Sequence, residues 1–225
     1  MSQDLNTKGI FKQNVVLSLD DVGLVGELTV PENAHSVIMF VDGAGSTSPD
    51  SINSFVAREL NKFGHATLTF DLTTDEEEAE NESHNRIAFG FHTEFLSQRV
   101  MEAYRWLRLN GDTEKLSVGI FGTGSEAEAA ILAASHLRRK IAAMVIAGGW
   151  ISLPPSILEQ VKSPTLLITR DDKLEELLQT QGMAKNFSCE YHLETISQSE
   201  QANYGQERLA ELTREWFSWY MAKKK

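Results

Sequence analysis

One cysteine, Cys189, stands among 225 residues, so no disulfide forms within the chain and its composition suits a reducing compartment. Basic residues are also scarce. Against 32 Asp and Glu there are 21 Lys and Arg, a formal net charge of -11, which repels nucleic acid and anionic membrane surfaces. No apolar run approaches the length of a membrane span, and the opening residues Met1 to Asn6 lack a basic segment followed by an apolar core. No repeat and no linker divides the chain. We therefore expect a cytoplasmic protein with no nucleic-acid and no membrane partner, folded as a single domain over residues 1–225. The hydrophobic share of 41% is enough to fill one core at this length.

What is present is an alternation of strand and helix signals. Asn14 to Leu19 and Leu24 to Val30 are β-rich runs around Asp20-Asp21-Val22-Gly23, a hairpin signal. Ser36 to Val41, Ala66 to Leu72, Leu116 to Gly122, Ala142 to Ala147, Thr165 to Thr169 and Cys189 to Ile196 read as buried strands. Helical spacing runs through Ser51 to Phe63, Phe95 to Leu109, the Ala-rich end of the stretch Leu116 to Leu132, Pro155 to Val161, Leu174 to Met183 and Arg208 to Tyr220. Such alternation predicts an α/β fold, a mostly parallel central sheet with helices on both faces and an N-terminal β-hairpin. The acidic run Thr73 to Glu82 reads as a solvated loop or flap. The aromatic cluster Trp216-Phe217-Trp219-Tyr220 reads as the core side of the last helix, although an apolar surface there or at Trp150 would serve assembly with other chains.

The stretch Val118-Gly119-Ile120-Phe121-Gly122-Thr123-Gly124-Ser125-Glu126-Ala127 hands a central strand to a helix through a very tight turn. Together with Gly26 to Pro31, Asp42-Gly43-Ala44-Gly45-Ser46-Thr47-Ser48-Pro49, Ala66 to Leu72 and Ser163 to Ile168, it makes nearly the whole chain resemble the dienelactone-hydrolase-like branch of the α/β-hydrolases. That resemblance implies the α/β-hydrolase fold. It also implies cleavage of carboxylic esters or lactones by a nucleophile, a histidine and an acid, with backbone amides stabilising the oxyanion.

Carried over residue by residue, the chemistry thins out. The register places Gly124 where the nucleophile belongs and Glu126 where a small residue belongs. A glycine there accepts positive φ without the strain that a catalytic serine tolerates. A shift by one residue offers Ser125 as nucleophile, but Ser125 with Glu128 also spells a Ser-x-x-Glu capping box. Asp171 and Asp172 lie where the acid is expected, and loop aspartates before a helix are equally common caps. The loop after Ile196 holds no histidine; Gln201 falls near the expected place and cannot accept a proton at neutral pH.

Substitutes for that histidine are poorly placed. His192 reads as a half-buried strand residue, His84 and His92 flank the acidic run, and His35, His65 and His136 lie at element ends away from the strand tips. No pair has metal-ligand spacing, so neither a metal nor a cofactor is expected. Related hydrolases read His-Gly-x-Gly in the oxyanion loop where this chain has Asp42-Gly43-Ala44-Gly45, and a carboxylate there opposes an oxyanion. Cys189 reads as a buried small apolar side chain. The expectation is a scaffold that has lost hydrolysis and binds a small molecule or a protein partner through Asp42, Gly43, Ala44, Gly124 and Ser125. The alternative is an atypical serine ester or lactone hydrolase using Ser125 with Asp171 or Asp172.

Overall fold

The computed structural model describes residues 9–18, 22–42, 48, 51–74, 76, 77, 89–197 and 204–222, and of residues 89–92, 125 and 204 it describes the backbone. Among the described residues eight strands form one sheet in the order β1-β2-β4-β3-β5-β6-β7-β8. Strands β1 (Ile10–Ser18) and β2 (Gly23–Pro31) pair antiparallel as the expected hairpin, and β2 pairs antiparallel with β4 (His65–Asp71). From β4 onward all pairing is parallel, through β3 (Ser36–Asp42), β5 (Ser117–Thr123), β6 (Ile141–Ala147), β7 (Thr165–Arg170) and β8 (Tyr191–Ile196). This is the expected mostly parallel α/β sheet, and its inner strands are buried on both faces because helices cover both sides.

Helices α1 (Ile52–Lys62) and α6 (Tyr204–Met221) pack on one face, where Phe40, Phe121, Val56, Leu60 and Phe217 form the core. Helices α2 (Phe89–Leu109), α3 (Ala127–Leu137), α4 (Pro155–Leu158) and α5 (Leu174–Ala184) supply the other face, against Met39, Val41, Ile120 and Leu167. A side chain at Gly119 would stand 2.8 Å from the Phe217 ring and 2.9 Å from Met221 Sδ, so its absence lets α6 lie close against the central strand. Helix α1 starts where Ser51 Oγ accepts the Ser54 N–H at 3.1 Å, an N-cap that ends the small-residue loop.

Several boundaries move. Helix α2 begins at Phe89, six residues before the expected start, because glycine and aromatics in its first turn hide the period. Strand β8 begins at Tyr191, which leaves Cys189 in the preceding loop, half-buried, its Sγ 3.9 Å from Thr165 Oγ1. The aromatic cluster divides: Phe217 is fully buried, the tilted rings of Trp216 and Tyr220 lie 4.5 Å apart between centroids, and Trp219 is 77% exposed. Residues at positions 216, 217, 219 and 220 cannot all lie on one stripe of a 3.6-residue repeat.

The acidic run is not simply solvated at its start. The Thr74 N–H donates to Glu77 Oε2 at 2.9 Å and the Glu77 N–H donates to Thr74 Oγ1 at 3.3 Å, a reciprocal capping box. Arg99 on α2, buried to 1% exposure, donates to both Glu77 carboxylate oxygens at 2.7 Å and to the Leu72 carbonyl at 2.6 Å. Its guanidinium also lies 4.2 Å over the Phe95 ring. A buried cation must be paired, and this one takes its partner from the run read as a loose flap. Residues 75 and 78–82 of that run lie outside the described residues.

Candidate functional site

Alternation along the strands sets what emerges at their carboxyl ends. Phe40 and Phe121 touch at 4.9 Å between ring centroids on the α1/α6 face. Two residues further on, Asp42 and Thr123 end their strands on that same face. Asp71, the register partner of Asp42, ends β4 beside them. From α1, the Asn53 Nδ2 donates to Asp42 Oδ2 at 2.5 Å; Asn53 is 1% exposed.

Next to Thr123 the chain turns sharply. Gly124 has φ +62°, in the left-handed region, and opens a single 3-10 turn, Gly124–Glu126, that leads into α3. A Cβ at Gly124 would lie 3.5 Å from Asp42 Oδ1 and 3.7 Å from Glu126 Oε2. Those are ordinary contacts, so the backbone conformation and not crowding favours glycine here. The turn is pressed from the β6 side as well. Gly149 has φ +94°, and a Cβ on it would stand 2.2 Å from the Gly124 carbonyl oxygen. The elbow is therefore fixed by a backbone approach that no side chain permits.

Among the described residues the sequence-derived candidates form no triad. The backbone of Ser125 lies in the 3-10 turn; its side chain, together with Gly43, Ala44 and Gln201, lies outside the described residues. Asp171 is exposed and accepts a hydrogen bond from the Ser197 hydroxyl, at the point where β8 ends. Asp172 is held by Arg170, whose Nε and Nη2 donate at 2.9 Å and 2.5 Å. The hydrogen bond from Arg170 keeps the Asp172 carboxyl below its ordinary range.

Of the expected Ser125–Glu128 capping box, the Glu128 arm is engaged elsewhere, and the Ser125 side chain lies outside the described residues. Glu128 is 3% exposed and turns into the fold, where Oε2 accepts from Thr93 Oγ1 at 3.3 Å and Oε1 from the Ser152 N–H. A buried carboxylate is bonded by whatever donors the tertiary structure offers, and these lie on α2 and in the loop after β6. Helix α3 starts at Ala127 with no side-chain cap on Glu126.

Of the histidines whose side chains are described, none stands at the carboxyl ends of the strands. His65 opens β4 at the opposite end, fully buried, with Nδ1 2.6 Å from Ser36 Oγ and Nε2 3.2 Å from Ser218 Oγ. Burial, and then the nearby charge of His35, lower its pKa to about 4. His136 lies in the last turn of α3. His192 is on the edge strand β8 and more exposed than expected, its ring 5.5 Å from that of Trp216. His84 and the side chain of His92 lie outside the described residues. Burial raises the Cys189 thiol above its ordinary pKa, which makes it a poorer nucleophile.

Among the described residues no group of three or more His, Cys, Asp or Glu is arranged to hold a metal ion. No helix there is long and apolar enough to cross a membrane. A groove of about 800 Å³ lies between α1 and α6, bordered by Phe55, Glu59, Arg208 and Glu211, away from the elbow.

The crystal structure of a dienelactone hydrolase from Anabaena variabilis superposes on this fold with a TM-score of 0.85 and 32% sequence identity, covering 95% of this chain and 99% of that one. The chain belongs to the dienelactone-hydrolase-like α/β-hydrolases. Est1E from Butyrivibrio proteoclasticus, at 14% identity and a TM-score of 0.75 over 93% of this chain and 99% of its own, shares the fold. No family model matches the sequence. A Mycobacterium tuberculosis protein that carries a provisional phosphoribosyl transferase name is 41% identical over 160 residues, 70% of this chain. The chain spans about a third of the length of that relative, 35%. For a dienelactone-hydrolase-like chain the elbow is the expected seat of chemistry, and here it presents Gly124 between the carboxylates of Asp42 and Glu126.

Proposed function

We propose that this chain is a non-hydrolytic member of its family, a single cytoplasmic domain whose strand-tip crevice binds a small molecule instead of cleaving one. The observation that carries the reading is Gly124 at φ +62°, in the register where the elbow's nucleophile belongs. A serine and its base act as a unit, and loss of either removes most of the rate. Gln201 in the expected histidine position adds to this, as does the Asp42 carboxylate beside the elbow, which disfavours negative charge on a reacting carbonyl oxygen.

The test is labelling of the whole protein with a fluorophosphonate probe, alongside p-nitrophenyl butyrate hydrolysis. No adduct and no turnover above buffer are expected. Stoichiometric labelling of Ser125, with turnover lost in Ser125→Ala, would sink the reading in favour of an atypical serine hydrolase.

A further inference from the structure

We propose that the outer edge of β1 pairs with the same edge of a second copy of this chain, joining two sheets into one across a two-fold axis. Strand β1 ends the sheet and, among the described residues, pairs with β2 alone. The Glu32 N–H donates to the Gly9 carbonyl at 2.6 Å, and the β1–β2 register runs unbroken from Ile10 opposite Pro31 to Ser18 opposite Gly23. Residues that bond across an antiparallel ladder alternate, so odd-numbered residues of β1 face β2. The backbone N–H and C=O of Ile10, Lys12, Asn14, Val16 and Ser18 therefore turn outward. Pro31, which has no N–H, stands opposite Ile10 in keeping with that phase.

Sheets in soluble proteins blunt their edges with charge, proline, bulges or short strands. The far edge does so: β8 has six residues, carries Glu194 and follows Glu190. Strand β1 has nine residues with no acidic residue, no proline and no bulge, in a chain of net charge -11. Its one charge, Lys12, is paired with Glu27 of β2 at 2.7 Å. Of the large apolar strand side chains that are exposed, all but Tyr191 lie in the hairpin: Ile10, Phe11, Val16 and Val25. A second copy is repelled by acidic surface elsewhere and meets none on this strand.

The pattern of β1 selects a second copy as the occupant. Ile10-Phe11-Lys12-Gln13-Asn14-Val15-Val16 reads the same in either direction, two apolar residues on each side of three polar ones. Antiparallel pairing centred on Gln13 sets Ile10 opposite Val16, Phe11 opposite Val15 and Lys12 opposite Asn14. Apolar residues then meet on both faces, no like charges stand directly opposite, and the bonds are exchanged at the outward-turned residues. Ile10 of one copy also extends the exposed Val16–Val25 row of the other. Centring on Asn14 instead would set Lys12 opposite Val16 and Ile10 opposite Ser18.

Sedimentation velocity of the intact chain tests this over about a hundredfold range of concentration. A species of twice the 25.1 kDa chain mass should gain population as concentration rises. Asn14→Pro removes an outward N–H and no bond to β2, at an edge position where proline is tolerated. It should keep the far-UV circular dichroism spectrum and sediment as a monomer. Val16→Lys, on the exposed face, should weaken association about tenfold and decides the matter should Asn14→Pro fail to fold. Oxidative cross-linking in a Cys189→Ser background reads the register. At Gln13→Cys the two copies face each other at a pair that exchanges no hydrogen bonds, with Cα atoms about 4.5 Å apart, within disulfide reach. That variant should form a covalent dimer and Ser18→Cys should not. A monomer at every concentration, a dimer undiminished in folded Asn14→Pro or in Val16→Lys, or equal cross-linking of the two cysteine variants overturns the inference.

Discussion

The two ends of the sheet handle polar groups in opposite ways. At the amino ends of the strands, His65 is fully buried and both of its ring nitrogens are engaged, by Ser36 from β3 and Ser218 from α6. At the carboxyl ends, Asn53 Oδ1 and Thr123 Oγ1 are buried without partners, and two carboxylates border a glycine. Both ends are buried enough for an unmade hydrogen bond to be costly. The lower end is a polar joint closed on itself, whereas at the upper end two buried polar atoms are left unbonded. The contrast separates a polar cluster whose bonds close within the fold from one whose bonds do not, without appeal to which residue types are present.

The largest expected effect comes from closing the approach that shapes the upper end. Gly149→Ala would place a Cβ 2.2 Å from the Gly124 carbonyl oxygen at a φ of +94°, a cost of about 3 kcal/mol or more from strain and displacement together. Urea unfolding should show a much lower midpoint. Gly111→Ala, where a Cβ meets nothing within 4 Å, should shift it little. Equal midpoints for the two variants would show that the elbow yields freely, and the contrast between a fixed upper end and the rest of the fold would fail.

At the lower end the expected signature is pH dependence. His65 titrates near 6.5 unfolded and near 4 in the fold, so between those values the unfolded chain holds more protons. Stability contributed by the neutral ring is complete above about pH 6.5 and falls as the pH drops toward 4, by about 3 kcal/mol in all. His65→Gln keeps a hydrogen-bonding side chain that does not titrate. Its unfolding free energy should change less between pH 7 and pH 4.5 than that of the parent chain. An equal pH slope in the two would remove His65 as the cause.

Much of this architecture was legible beforehand, because unbroken apolar strands and the Val118-to-Gly122 run carry their own signal. Part of the site was legible too: Gly124 and Asp42 do stand together at the elbow. Asn53 was not, since a polar residue on the second position of a helix looks like any other, and only the packing of α1 brings it to Asp42. Glu128 was misread for a related reason, a local four-residue motif overruled by donors that lie 24 and 35 residues away. Arg99 carried no warning of its burial. The Thr74-Asp75-Glu76-Glu77 capping signature was nonetheless visible and would have shown that the acidic run begins in ordered structure.

The smaller effects concern two arginine–carboxylate pairs near the upper end that share a forked geometry and differ in burial. The Arg99 side chain is 2% exposed in its pair with Glu77, whereas the Arg170 and Asp172 side chains are each 43% exposed. Taking the carboxylate from the first pair strands a buried cation, so Glu77→Gln should cost about 2 kcal/mol, read as a lower urea midpoint. Taking it from the second returns Arg170 to water, which solvates it nearly as well. Asp172→Asn should leave the urea midpoint unchanged. Equal losses of midpoint in the two variants would show that burial does not decide what such a pair contributes.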